Sequence, residues 1–364
     1  MPAALYQRVY DQLRETIRSG ELGVGDRLPS EESLSQRYGV SITTLKRALD
    51  QLRNDGFIER RPRLGTFVVN IAPSVAAPRT TAPLVGCVLT DVDDTFGTTM
   101  LTAILDASAD RAEVVVKRTL GDTGTEDALV RHLVGAGIQG LLLEPSSSAY
   151  VSSAVLELIA ADFPVVILDR VFPGVPVSSV CSDNVDAGRV ATDHLFDTGH
   201  QRIGCVLPAN RVSTIQDRWH GVMAAHACRR IPYDPGLEFD DVISTVPGSH
   251  VPPGEDVERL MAYLDRHPGM TGVVAMEYNI AVLLREAVRR RGGDIPTDLA
   301  VVCFDHPTGF YDRAQFRFTH IRQDQAGMGE AALGLVLRQV GQPGAVEKVT
   351  LGTTLVVGDS TRAP

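Results

Sequence analysis

Residues 164–170 read Pro164-Val165-Val166-Ile167-Leu168-Asp169-Arg170. Four aliphatic residues run without a polar break and stop at an acid beside a base. A short continuous apolar run ended in this way fits a strand buried on both faces, as parallel sheets require. Similar runs recur at 84–90, 112–117, 139–143, 203–207, 272–275 and 299–303. Between them lie stretches of helical periodicity, including 97–109, 126–134, 184–197, 214–229, 254–266 and 278–291. The alternation predicts βαβ units and an α/β fold of doubly wound parallel sheets. Roughly 280 residues is more than one such sheet uses. The expectation is two lobes with a cleft between them, its ligand at the carboxyl ends of the strands.

Polar groups stand at those ends. Thr90-Asp91-Val92-Asp93-Asp94-Thr95-Phe96 follows the first run, and Asp169-Arg170 follows the run quoted above. Arg218-Trp219-His220-Gly221 lies in the helix after 203–207, and Val301-Val302-Cys303-Phe304 leads into Asp305. Carboxylates and guanidinium groups in a cleft can hydrogen-bond vicinal hydroxyls, and an aromatic ring can cover the apolar face of a sugar. Asp93, Phe96, Asp169, Arg170, Arg218 and Asp305 are therefore candidate ligand-binding residues.

The chain has 364 residues, a formal charge of −10, 44% hydrophobic and 22% charged residues. That composition excludes a mainly disordered chain, a collagen and a coiled-coil rod. Residues 1–70 hold eleven Lys and Arg against nine Asp and Glu, a net +2; the remainder holds 24 against 36, a net −12. The acidic body should repel DNA and anionic membranes, while the head tolerates them. The five cysteines form no CxxC pair and read as reduced core residues of a cytoplasmic protein. Residues 1–15 are amphipathic and lack a signal-peptide apolar stretch, and no run is long enough to span a membrane.

The head, residues 1–70, reads as three helices and a hairpin. Leu5, Val9, Leu13 and Ile17 form an apolar stripe. Ser30 can cap a second helix that stops at Gly39, and Ser41 can cap a third. In the third, Leu45, Ala48, Leu49 and Leu52 face inward while Thr43, Lys46, Arg47 and Asp50 face out. Two short helices around a Gly turn fit a helix-turn-helix, whose outer face can enter a major groove. Strands around 62–65 would make a wing, with Arg60, Arg61 and Arg63 toward phosphates and Gly65 allowing close backbone approach. Residues 71–83, with three prolines, read as an extended linker to the body at 84–364.

Two resemblances follow from these residues. Leu28-Pro29-Ser30-Glu31, Tyr38-Gly39-Val40-Ser41, Thr43-Thr44-Leu45-Lys46, Ala48-Leu49, Leu52, Gly56 and Gly65-Thr66-Phe67-Val68 resemble the winged helix-turn-helix of GntR-type regulators, over about residues 4–69. The resemblance implies DNA contacts by Ser41, Thr43, Thr44 and Lys46 in the recognition helix and by Gly65 and Thr66 in the wing. Glu32 and Ile42 stand where that family often has Arg, which implies a different operator sequence or, at the extreme, weakened DNA binding. Residues 84–362 resemble the LacI-type, periplasmic sugar-binding-like effector domain. The motifs are Pro164 to Arg170, Ser182-Asp183-Asn184 with Gly188, His194-Leu195, Gly199-His200, Arg202-Ile203-Gly204, Ile295-Pro296 to Asp305, Gln323 with Met328-Gly329, and Ser360-Thr361. That resemblance implies that Phe96 covers a ligand hydrogen-bonded by Asp169, Arg170, Arg218, Asp305 and Gln323. Glu277-Tyr278 replaces the usual Asn-Asp or Ser-Asp pair, and Tyr278 joins the ligand candidates. Cys303 and His306 also depart from the pattern. A head of the first kind on a body of the second is similar to arabinose-repressor-like regulators.

Enzyme readings are weaker. Asp91-Val92-Asp93-Asp94-Thr95 matches the DxDxT signature of Mg²⁺-dependent phosphatases, with Asp91 as nucleophile and Asp93 as acid. That family also needs a downstream lysine, and none lies between Lys117 and Lys348. Gly135-Ala136-Gly137-Ile138-Gln139-Gly140 is a GxGxxG after a helix and before a strand, the wrong order for a dinucleotide. No Schiff-base lysine motif, GxxxxGK or HExxH occurs, and His194, His200, His220 and His226 read as structural or surface residues. The expectation is a non-enzymatic, cofactor-free and metal-free transcription repressor. It would bind a pseudo-palindromic DNA operator as a homodimer, away from membranes, under control of a sugar or related metabolite. A sugar-binding protein with a vestigial head is the alternative.

Overall fold

The structure, a computed structural model, describes residues 5–61, 65–70, 82–307, 316–342 and 344–362. Arg63, the hairpin tip and residues 71–81 of the expected linker lie outside the described residues. The chain divides into two compact units, Met1–Thr81 and Ala82–Pro364.

The first unit contains α1 (Leu5–Arg18), α2 (Glu31–Tyr38), α3 (Ile42–Asn54) and an antiparallel hairpin of β1 (Ile58–Arg61) and β2 (Gly65–Val68). Ser30 caps α2 by accepting from the Ser33 amide at 3.2 Å, and Gly39 ends it in the left-handed region. Leu45, Ala48 and Leu52 of α3 are buried against Val9, Leu13 and Ile17 of α1, with Leu34, Ile58 and Val68 closing the core.

The second unit is two lobes of matching topology. The first lobe holds β3 (Leu84–Leu89), α4 (Thr98–Ser108), β4 (Glu113–Arg118), α5 (Thr123–Gly135), β5 (Gly140–Leu143), α6 (Ser153–Ala160), β6 (Val165–Leu168) and β7 (Ser178–Ser182). The chain then crosses through α7 (Asn184–Asp197) into β8 (Ile203–Pro208), α8 (Ser213–Arg229), β9 (Glu238–Val242), α9 (Pro253–Arg266), β10 (Gly272–Ala275), α10 (Tyr278–Arg290), β11 (Ala300–Phe304) and β12 (Thr319–Gln323). It returns through α11 (Gln325–Gly341), and β13 (Lys348–Leu351) and β14 (Thr353–Val356) end one in each lobe. The sheet orders are β13-β7-β6-β5-β3-β4 and β14-β12-β11-β10-β8-β9. Every neighbouring pair is parallel except β12 and β14. That one antiparallel edge departs from the all-parallel expectation, because a single residue, Gly352, carries the chain from one sheet to the other.

The lobes exchange helices. The helix α7 follows a first-lobe strand but buries Ala187, Ala191 and Leu195 in the second lobe. In return α11 follows a second-lobe strand and buries Met328, Ala332, Leu333 and Val336 in the first. Its contact with α4 is so close that a side chain at Gly329 would meet the Met100 carbonyl. Asp183 and Asp324 cap the two exchanged helices, accepting from the Asp186 and Gly327 amides at 2.9 Å each. The Asp183 amide also donates to the Leu351 carbonyl at 2.8 Å, tying two of the three crossings together.

The expected strands and helices all form, with shifts at their ends of a few residues. The elements that apolar runs did not announce are α6, β7, β9, β12, β13, β14 and α11. β12 reads Thr319-His320-Ile321-Arg322-Gln323, yet all of it but Arg322 is buried. Its polar groups are paired by the far end of the chain: the Thr319 amide donates to Ser360 Oγ at 2.8 Å, and Thr319 Oγ1 lies 2.7 Å from Thr361 Oγ1. No helix among the described residues is long and apolar enough to cross a membrane.

Candidate functional site

The third helix of the head opens with Ser41, whose Oγ accepts from the Thr44 amide at 3.2 Å and lies 2.8 Å from Thr44 Oγ1. Both hydroxyls thus fix the helix start. Ile42, Thr43, Lys46 and Arg47 are exposed beyond it, opposite the buried stripe. Lys46 Nζ stands 3.8 Å from Glu31 of α2, and Arg60 of β1 approaches the same carboxylate at 3.8 Å. Arg47 is drawn away from that group and stacks 4.4 Å over the Tyr6 ring of α1. Gly65 has φ +120°, and a β-carbon there would lie 2.6 Å from Arg27 Nε. Arg27, exposed beside the wing, is a basic residue that the sequence reading missed; it precedes the apolar motif rather than lying within the helix-turn-helix. The head so displays an exposed Thr and Lys face and a paired hairpin at its flank. Leu28 donates to the Thr66 carbonyl at 2.8 Å and Val68 to Asp26 at 2.9 Å, so the segment before α2 braces the wing.

In the body, the carboxyl ends of both sheets surround a cleft. All eight candidate residues, Asp93, Phe96, Asp169, Arg170, Arg218, Tyr278, Asp305 and Gln323, line it. The loop after β3 brings Asp93 and Phe96, β6 brings Asp169 and Arg170, α8 brings Arg218, α10 brings Tyr278, and β11 and β12 bring Asp305 and Gln323.

Their roles differ. Asp93 shapes its own loop: Oδ1 accepts from the Thr95 and Phe96 amides at 2.7 and 2.9 Å and from the Thr95 hydroxyl. Asp91 turns to Arg118 at 3.0 Å and to the Val92 amide at 2.8 Å. The two acids of the DxDxT motif are therefore committed to separate partners. Gln325, at the start of α11, clamps this loop by donating to the Thr95 carbonyl and accepting from the Gly97 amide.

Arg170 reaches into the first lobe, pairs with Glu144 at 3.1 Å and donates to the Pro145 carbonyl. Both partners are buried. Burial pushes the Glu144 carboxyl up to about 7, against the opposing pull of Arg170. Glu144 was missed because it is one acid after an apolar run, with no motif around it. Gln323 donates to Asp305 at 2.7 Å, and burial raises Asp305 to about 6. Arg218 donates to Asn184 Oδ1 at 2.9 Å and the Met276 carbonyl at 2.7 Å, and its guanidinium lies 4.2 Å over the Phe304 ring. Tyr278 packs 5.0 Å from His306 and 5.9 Å from Phe318, ring to ring. Four buried atoms of the cleft, Asp169 Oδ1, Arg170 Nε, Thr245 Oγ1 and Gln323 Oε1, have no hydrogen-bond partner within the protein. Buried polar atoms are normally paired, so these mark where a polar ligand would bond.

The lobes touch across the cleft. The Val171 amide donates to Ser213 Oγ at 3.0 Å, and the Ser213 amide donates to Ser148 Oγ at 2.9 Å. At the mouth, Gly248 of the second lobe lies against Leu120 of the first; a β-carbon would sit 2.6 Å from the Leu120 carbonyl oxygen. The histidines act locally: His194 bonds Thr361, His200 bonds Thr271, His226 meets the Ile231 carbonyl, and exposed His220 faces Asp217.

Residues 5–68 match the sequence profile of bacterial regulatory proteins of the gntR family, and residues 192–361 that of the periplasmic binding protein-like domain. Among curated proteins, the chain is similar to an arabinose metabolism transcriptional repressor of Geobacillus stearothermophilus, 23% identical over 94% of this chain and 93% of that one. Among solved structures it is similar to a complex of the transcriptional regulator CelR with cellobiose, 21% identical, TM-score 0.66, covering 92% of this chain and 100% of that one. A LacI family regulator from Enterococcus faecium with bound ribose gives 21% identity and a TM-score of 0.65 over 77% of this chain and 99% of that one. The chain thus joins a GntR-type helix-turn-helix to a LacI-like, periplasmic-binding-protein-like domain.

Proposed function

We propose that this chain, a DNA-binding transcription regulator with a GntR-type head and a periplasmic-binding-protein-like body, is a repressor whose hold on DNA is set by a sugar in the cleft. The observation that carries this reading is the convergence of polar groups from both lobes on one space, with four buried atoms among them making no hydrogen bond within the protein. Asp169, Arg170, Asp305 and Gln323 hydrogen-bond the hydroxyls, Phe96 and Tyr278 cover the ring, Arg218 fixes the cleft floor, and Asp93 holds the Phe96 loop. The similarity to an arabinose metabolism repressor and to regulator structures holding cellobiose and ribose supports a carbohydrate.

In this reading, residues 1–70 form the DNA-binding head, 71–83 the linker and 84–364 the effector domain. Ser41, Thr43, Thr44, Lys46, Arg47, Arg63, Gly65 and Thr66 face the operator. A homodimer places two heads on a pseudo-palindromic site in the cytoplasm, without enzymatic activity. The ligand bonds both lobes and therefore favours the arrangement in which they touch; a ligand shifts an equilibrium only through such differential affinity.

The test is selection of fragments from the source genome by the purified protein at fixed salt, followed by challenge with sugars. A few sites sharing a palindrome, released by a sugar, would support the reading. No enriched site would overturn the operator assignment.

A further inference from the structure

We infer that the effector is a sugar bearing a protonated amine, held by the carboxylates of Asp169 and Glu277. This rests on the reading of the cleft as a sugar site and narrows its chemistry.

The starting point is a charge imbalance. Six carboxylates line the cleft, those of Asp91, Asp93, Glu144, Asp169, Glu277 and Asp305. Two guanidinium groups, Arg170 and Arg218, are the cations among the lining residues. Most of these charges already have bonded partners. Asp91 pairs with Arg118, Asp93 closes its loop, Glu144 takes Arg170, and Asp305 accepts from Gln323. Arg218 is bonded to the neutral acceptors Asn184 and Met276.

Asp169 and Glu277 remain without a bonded cation, Glu277 having the Thr245 side chain beside it. Asp169 is 7% exposed, and its Oδ1 has no hydrogen-bond partner within the protein. Glu277 opens α10, but its carboxylate makes no capping bond to that helix and lines the cleft instead. Arg170 and Arg218 act on both only through space, and burial raises both carboxyls despite them. Both carboxyl groups thus stand in the cleft with no cation bonded to them.

A neutral hydroxyl can donate one hydrogen bond to such a carboxylate but leaves the charge in place. An ammonium group donates up to three and also cancels charge, and charge-assisted bonds are roughly twice as strong. A phosphate or uronate would add like charge at low dielectric, where repulsion is least screened. A metal ion fits less well: among the described residues no three acidic, His or Cys side chains are arranged to hold one. The Glu at 277 is also one of the sequence positions that depart from the usual Asn-Asp or Ser-Asp pattern, so the carboxylate belongs to this chain.

The experiment is calorimetry on the full-length protein with glucosamine, N-acetylglucosamine, glucose and glucuronate, and the same four forms of galactose. N-acetylation adds bulk and removes the charge. In at least one series the amine is expected to bind about tenfold or more tighter than both neutral forms, a difference of one decade in Kd, with the acid weakest. Glu277→Gln and Asp169→Asn should each narrow the ratio between the amine and its neutral parent; the wild-type ratio decides alone if either variant fails to fold. A neutral or acidic form binding as well as the amine would overturn the amine assignment and leave the sugar reading standing. No binding by any of the eight would likewise overturn the amine assignment, while the sugar reading is decided separately by release of the operator.

Discussion

Asp169 and Asp305 occupy the same position in the two lobes. Each is the first residue after a buried strand, β6 and β11, and each has a left-handed backbone with φ +61°. Each donates its amide at 2.9 Å to the next strand of its sheet, Asp169 to Val180 and Asp305 to Ile321. A left-handed conformation is strained for most side chains and tolerated by Asp. It turns the chain sharply at the strand end, so that two equivalent carboxylates line one cleft from opposite lobes. Burial raises both.

The first prediction concerns pH. Glu144 and Asp305 titrate near 7 and 6 in the folded protein, above the ordinary carboxylate values near 4. The folded state therefore binds more protons than the unfolded chain between those values, and these groups lower stability as pH rises through about 4 to 7. Glu144→Gln removes the larger effect. Its stability relative to wild type should improve by on the order of 2 kcal/mol between about pH 5 and about pH 8, read from melting curves of the unliganded protein. A pH-independent difference would refute the raised carboxyl.

Arg170 and Glu144 form a buried pair, and removing one partner strands the other charge. Arg170→Ala should cost about 3–5 kcal/mol and abolish release of operator by the effector. The double variant Arg170→Met with Glu144→Gln should recover most of the stability without recovering the response. Recovery of both would mean that Arg170 serves only the fold.

At the mouth of the cleft, Gly248 leaves room for the Leu120 carbonyl and has φ +77°. Gly248→Val strains the backbone and wedges the lobes apart. Effector affinity should fall about tenfold, roughly 1.4 kcal/mol, while operator binding without effector is retained. Unchanged affinity would show that this contact plays no part in closure.

On the head, Lys46→Ala should weaken operator binding and reduce the salt slope by about one unit. Thr43→Ala should weaken it without changing the slope. Glu31→Gln frees Lys46 and Arg60 from their shared carboxylate and should tighten binding while steepening the slope. Footprinting at several salt concentrations separates the three, and a Lys46 variant with wild-type affinity would remove it from the interface.

Gln323 and Tyr278 came only through the family resemblance; the sequence by itself determined the βαβ alternation, the cap residues Ser30 and Ser41, and the other six candidate side chains around the cleft. Each is a local signal: an apolar run buried on both faces, a hydroxyl before a helix, a polar group where a run stops. Tertiary structure alone decided what is paired across the chain. β12 is polar in sequence and buried in the fold because Ser360 and Thr361 satisfy Thr319 some 40 residues away. The helix α11 carries no narrow apolar stripe because it is buried between α4 and a sheet formed mostly by residues far earlier. The isolated Glu144 became a buried partner of Arg170, and Arg47 was drawn to Tyr6. The matching topology of the lobes, with Asp169 opposite Asp305, also emerged only in three dimensions. Burial, hydrogen-bond partners and charge balance depend on distant residues, and spacing along a chain does not encode those distances.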